Sequence, residues 1–198
     1  MRGEFGSVRD QGPRPTCLAF AASDTHAAIR SGWDPLSCEY IFFHAQRRTG
    51  RSPDQGAFLH DILASLEQDG QPRESGWPYL SALPSDLSLY QPPVSVGDLY
   101  GRVGEQQTET VDQVFGTLKS GTPSIVLTKL TNTFFRPPAT GVVDHVDGDI
   151  ARPAPRHAVV AVGCGRLHGG RVVLIRNSWG PSWGVDGHIW LTEKYLSH

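Results

Sequence analysis

The hydrophobic pattern changes period near the middle of the chain, and that change constrains the fold more than any other feature. Roughly the first 80 residues carry apolar positions at helical spacing. About the last 75 carry short runs rich in Val and Ile, bounded by glycine. A chain that switches once in this way reads as a helical lobe followed by a β lobe, an α+β protein. The first helix is expected over 16–30. It lies behind Pro15, ends near Gly32, and is apolar on most faces through Leu18-Ala19-Phe20-Ala21-Ala22, so it should be a buried central helix. A second is expected from Ser37, a plausible N-cap, to Arg47, and a third over 57–68 with Gly70 as its stop. Residues 71–108, rich in Pro, Ser and Gly, read as an irregular crossing. Thr110-Val111-Asp112-Gln113 is a capping-box pattern that opens a short helix ending at Gly121. Strands are expected at 124–130, 157–162, 171–176 and 188–192. A hairpin-like loop fills 165–170, and a long loop with an acidic patch (Asp144, Asp147, Asp149) fills 131–156.

A length of 198 residues suits one domain, with a helical lobe over about 8–90, a β lobe over about 91–198, and a cleft between them as the natural place for a site. Five Trp and eight Phe exclude a disordered tail. A net charge of −2 argues against a nucleic-acid or polybasic membrane surface. No apolar stretch approaches the roughly 20 residues that cross a bilayer, and residues 1–7 lack the apolar core of a signal peptide. Three well-separated cysteines (Cys17, Cys38, Cys164) fit neither a disulfide framework nor a zinc site, which points to a reducing, cytoplasmic compartment. The acidic patch lacks the spacing and terminal Glu of a calcium loop and reads as solvated, so no metal or other cofactor is expected.

Four residues carry chemistry. Cys17 falls at the expected N-terminus of the buried helix, where the helix dipole favours a nucleophilic thiolate; read alone, a small buried hydrophobe is the commoner fate of such a cysteine. Gln11 could donate a side-chain amide to a developing oxyanion, or be a turn residue. His157 opens the apolar run 158–162 and could act as base and then acid, with His145 in the acidic loop as a poorer rival. Asn177 follows the strand 171–176; its amide oxygen could orient the imidazole while Trp179 shields that bond.

Order and spacing distinguish this set. His157 lies 140 residues after Cys17, and Asn177 another 20 on. With Gln11-Gly12-Pro13-Arg14-Pro15-Thr16-Cys17, His157-Ala158-Val159-Val160 and Asn177-Ser178-Trp179-Gly180-Pro181-Ser182-Trp183-Gly184, the sequence resembles the papain-like cysteine peptidases over about residues 8–195. The resemblance implies a two-lobe fold with the β lobe antiparallel and the active site between the lobes. It makes Cys17 the nucleophile, His157 the general base and acid, Asn177 the orienter and Gln11 the oxyanion donor. Gly56, Trp179 and Pro155 become substrate-binding positions. Leu18, Arg14, Pro15 and Gln55 depart from the family's usual Trp, Cys, Gly and Gly. Arg14 rules out one disulfide of the family, which matches a disulfide-free, bacterial-type branch.

The expected activity is therefore endopeptidase cleavage of a protein or peptide through a thioester. Deamidation or transamidation of a Gln side chain by the same triad, or a non-catalytic binding module, are the alternatives. Nothing at the N-terminus reads as an inhibitory propeptide, so either one has been removed or activity is controlled by location or by a partner. A toxin or effector domain delivered into a target cell, its cleft plugged by an immunity protein, would fit, as would a maturation protease in its own cell. Arg14 and Arg156 are expected to flank the cleft.

Overall fold

The computed structural model describes residues 2–30, 32–106, 110–149 and 156–197. The chain forms two compact units, one of Gln11–Gln107 and one that joins Met1–Asp10 to Thr108–His198.

The first unit is built on α1 (Cys17–Ala28), α2 (Cys38–Thr49) and α3 (Leu59–Gln68). As its composition suggests, α1 is buried on nearly every face. Its polar residues are satisfied inside: Ser23 Oγ donates to Leu36 O at 2.6 Å, and His26 Nδ1 lies 3.1 Å from Gln71 Oε1. Ser37 caps α2, its Oγ accepting from Tyr40 N at 3.1 Å. The helix runs two residues past the expected end, because Gly50 takes the left-handed conformation (φ 62°) that closes it.

The irregular stretch after α3 is tied to the helices by Gln71, which is fully buried. Its backbone pairs with Tyr100 in both directions (2.9 and 3.0 Å), and its Nε2 donates to Ser37 O at 2.9 Å. Trp77 and Tyr90 pack on Tyr40 and Phe43 from α2. Residues 91–106 fall in the same compact unit as these helices.

The second unit contains α4 (Val111–Lys119), β1 (Ser124–Lys129), α5 (Asn132–Phe135), β2 (Val142–Val143), β3 (Arg156–Leu167), β4 (Gly170–Arg176), β5 (His188–Thr192) and α6 (Glu193–Leu196). The capping box of α4 forms as read, with Thr110 and Gln113 each accepting the other's backbone N–H. The strands order as β1-β3-β4-β5-β2. The sheet is antiparallel except at one edge, where the two-residue β2 runs parallel to β5; β2 was too short for a period-2 signal. The loop read at 165–170 is shorter than expected. Strands β3 and β4 stay paired to Leu167 and Gly170, leaving only His168 and Gly169 in the turn. Both have positive φ (47° and 85°), the geometry whose twist matches a two-residue hairpin.

The core of this unit gathers Val159, Val173, Ile175 and Leu191 from the sheet with Phe134 from α5 and Trp183 from the loop before β5. The N-terminal segment is anchored here by Arg176, whose buried guanidinium donates to Gly6 O (2.9 Å) and Ser7 O (2.7 Å).

Candidate active site

Gln11, Cys17 and Gly56 belong to the helical unit; His157, Asn177 and Trp179 belong to the β unit. Pro155 lies outside the described residues.

In the β unit three expected residues converge. His157 stands near the start of β3 and is 4% exposed. Its Nε2 lies 2.6 Å from Asn177 Oδ1. Ser178 N donates to the same oxygen at 2.8 Å, which fixes the amide orientation. Since Oδ1 can only accept, His157 Nε2 carries the hydrogen, and in the neutral ring the lone pair is on Nδ1. The basic nitrogen is therefore Nδ1.

Asn177 is held from behind: its N–H donates to Gly187 O at 3.0 Å. Gly187 has φ +74°, and a Cβ there would fall 2.6 Å from the Val8 side chain, so the turn requires glycine. Asn177 Nδ2 is buried without a partner among the described residues, a cost of about 1–3 kcal/mol for keeping Oδ1 on the imidazole. Trp179 covers the pair, its ring 4.6 Å from that of His157. Phe134 stands edge-on to both rings, and Phe135 stacks on Trp179 at 5.2 Å. This enclosure removes water from the imidazole, and burial is the main reason its pKa falls to about 4, against the raising effect of the Asn177 bond.

The two phenylalanines were not singled out in the sequence, because α5 is one turn long inside a stretch that reads as loop. That turn is capped by one residue of the acidic patch. Asp149 accepts from Asn132 N and Thr133 N, both at 3.0 Å, while Thr131 Oγ1 accepts from Phe134 N at 3.1 Å. Asp149 is therefore a helix cap and not a merely solvated charge. Its pKa is lowered chiefly by the Thr133 hydroxyl. Asp144 likewise accepts from the Thr192 hydroxyl at 2.5 Å. His145, the rival base, is engaged with Asp147 at 3.1 Å. Asp149→Ala is expected to cost about 1 kcal/mol, and Asp149→Asn less, read as shifts of the urea midpoint. A midpoint unchanged by the alanine would show that the cap does not hold α5.

In the helical unit, Cys17 is the first residue of α1. Thr16, at the N-cap position, makes no side-chain cap bond there. Its hydroxyl is 3.0 Å from Tyr79 Oη, which itself donates to Gln11 O at 2.6 Å. The N-terminal field of α1 thus acts on the half-buried Cys17 without a competing cap, which favours a thiolate. Gln11 Nε2 donates to Arg14 O at 2.8 Å. Gly56 lies beside the same segment, an added Cβ meeting Pro15 O at 3.9 Å, and its carbonyl accepts from Arg51 Nε at 3.0 Å. None of the three cysteines is in a disulfide.

Arg14 departs from expectation. Its side chain does not flank an open site but is buried, donating to both carboxylate oxygens of Glu39 (2.6 and 2.8 Å). A single Arg in a turn carries no sequence signal for so distant a partner. Arg156, at the start of β3, is exposed.

The sequence profile described as papain family cysteine protease matches residues 2–196. A cysteine protease of Blomia tropicalis is 26% identical over the whole of this chain and 60% of its own length. Cysteine proteinase 1 of Entamoeba histolytica is 24% identical over 95% of this chain, again 60% of its own length. The chain thus spans about 60% of these relatives. Among solved structures, xylellain, a cysteine protease from Xylella fastidiosa, aligns over 98% of this chain and 78% of its own with a TM-score of 0.73 at 24% identity. Bromelain from Ananas comosus, in complex with the E64 inhibitor, aligns over 96% and 86% with a TM-score of 0.71 at 22% identity. These structures share the papain-like two-lobe α+β fold expected from the sequence, and the chain belongs to the papain family of cysteine proteases.

Proposed function

We propose that the protein hydrolyses peptide bonds through a thioester formed on Cys17. The observation that carries this reading is the His157 Nε2–Asn177 Oδ1 bond of 2.6 Å under Trp179, which leaves Nδ1 as the one nitrogen able to take a proton. Cys17 Sγ gives its proton to Nδ1 and attacks the scissile carbonyl carbon. The oxyanion is held by Gln11 Nε2–H and the Cys17 backbone N–H. His157 returns the proton to the departing amine. It then takes one from water, which adds to the thioester carbonyl; collapse releases the acid and Cys17. Gly56 supplies main-chain hydrogen bonding to an extended substrate.

Fluorogenic peptide libraries, with product masses read by mass spectrometry, test the reaction. Shortened peptides are expected. A product heavier by one dalton, or cross-linked through Gln, would replace peptidase with deamidase or transamidase. Failure of an epoxide thiol reagent to label Cys17 selectively would favour the non-catalytic module.

Gln11→Ala is expected to lower kcat by about 10²–10³ with KM little changed, because the donor acts on charge that develops only in the transition state. A kcat within twofold of wild type would remove Gln11 from the mechanism. A reducing site of action is supported by the three cysteines outside disulfides. Among the described residues, no helix is long and apolar enough to cross a membrane.

A further inference from the structure

The turn that leads into α1 is organised around one residue. Arg14 is 6% exposed and Glu39, on α2, is fully buried. Their pairing is bidentate, with Nη1 also donating to Leu80 O at 2.6 Å. Glu39 in turn accepts from Leu80 N at 2.9 Å and from the Tyr90 hydroxyl. The guanidinium carbon lies 5.1 Å from the ring centre of Tyr79 and 5.6 Å from that of Phe42. Burial works against the guanidinium charge, yet the Glu39 bonds and charge hold its pKa above the ordinary value. Burial and Glu39 together raise that of Tyr90.

The main chain of the same residue has different partners. Arg14 O accepts both Gln11 Nε2–H and Thr16 N–H, each at 2.8 Å. One residue therefore joins α2 and the 80–90 segment, through its side chain, to the amide of Gln11 and the N-cap residue of the helix that carries Cys17. A buried ion pair gives little net stability against apolar residues of the same volume, so its use here calls for another reason. The fork of an arginine fixes direction as well as distance, which a lysine or an apolar side chain does not.

We propose that Arg14, locked by Glu39, is a positioning residue for the oxyanion donor: it holds the 11–16 turn so that the second N–H of Gln11 Nε2 meets the developing oxyanion. The proposal rests on the peptidase reading above. At this position the resemblance leads one to expect a cysteine in a disulfide. The noncovalent pair does equivalent work and is indifferent to redox conditions.

The test is the double variant Arg14→Met/Glu39→Leu, which removes both charges together and avoids stranding either. Thermal denaturation, kcat and KM on a fluorogenic peptide, and the rate of Cys17 alkylation by iodoacetamide are compared with wild type. Alkylation reads the thiolate and needs no oxyanion hole. The expected result is a cooperative fold, alkylation and KM within about threefold, and kcat lower by at least about tenfold. Gln11→Ala added to the double variant should lower kcat much less than it does in wild type. A kcat within twofold of wild type overturns the proposal, as does an equal loss in kcat and alkylation, which would mark a general loosening of the site.

If the double variant does not fold, Arg14→Lys serves. A loss confined to kcat supports the proposal, while unchanged kcat, or equal losses, overturns it. Wild-type protein that cleaves no peptide sinks the peptidase reading and this proposal with it, and is told apart by needing no variant.

Discussion

Cys17→Ala protein is expected to fold and to cleave no peptide above background, a loss on the order of 10⁶ in kcat if the nucleophile and base act as one unit. The size of the effect follows from the chemistry. Without Sγ there is no acyl-enzyme, and what remains is whatever binding and the oxyanion donors give to attack by water. Little stability should be lost, because Cys17 is only half-buried at the start of α1 and alanine is a better helix former. The measurement pairs progress curves on a fluorogenic peptide with circular dichroism of the same sample. Wild-type turnover by the variant would mean that another group attacks. An unfolded variant would be read through Cys17→Ser, which keeps the volume and lowers the nucleophilicity.

His157→Gln is expected to cost nearly as much activity, and the protonation of His157 should depend on what Cys17 carries. With no anion beside it, the buried ring has a pKa of about 4. In the proposed mechanism a thiolate on Cys17 would raise it, so the ring of wild type is expected to titrate at higher pH than that of Cys17→Ala. The two cases differ in proton chemical shifts of the ring across a pH titration.

The stability consequence has a definite sign. In Cys17→Ala the folded pKa lies below the unfolded 6.5, so the unfolded chain binds more protons as pH falls. Stability is full above pH 6.5 and is lost between 6.5 and 4, by about 3 kcal/mol from this residue. His26, His44 and His188, also lowered chiefly by burial, contribute to the same slope. The comparison is therefore between Cys17→Ala and Cys17→Ala/His157→Gln. Equal slopes would show that His157 is not held neutral by burial.

The helices and long strands were legible because each buries one face or all faces, and that requirement writes a period into the chain. Thr110 and Gln113 formed their capping box, and Ser37 its cap, since both act within four residues. The pairing of His157 with Asn177 was readable only through the spacing of recognised motifs; nothing local to either residue names the other. Short elements escaped. The two residues of β2 and the single turn of α5 are too brief to show periodicity, and the N–H groups of α5 are capped by Asp149, 16 and 17 residues on.

Local order along the chain, then, was set by the residues themselves: where helices begin, which face is apolar, which side chains have the chemistry of a thiol nucleophile, a base and amide donors. Tertiary structure alone decided the environments. It turned Arg14 inward onto Glu39, enclosed His157 among Trp179 and Phe134, and left Nδ1 as its basic nitrogen. The physical reason is range. Propensity and capping act over a turn or two, whereas burial, ion pairing and the loss of water around an imidazole depend on groups that only the folded chain brings within a few ångströms.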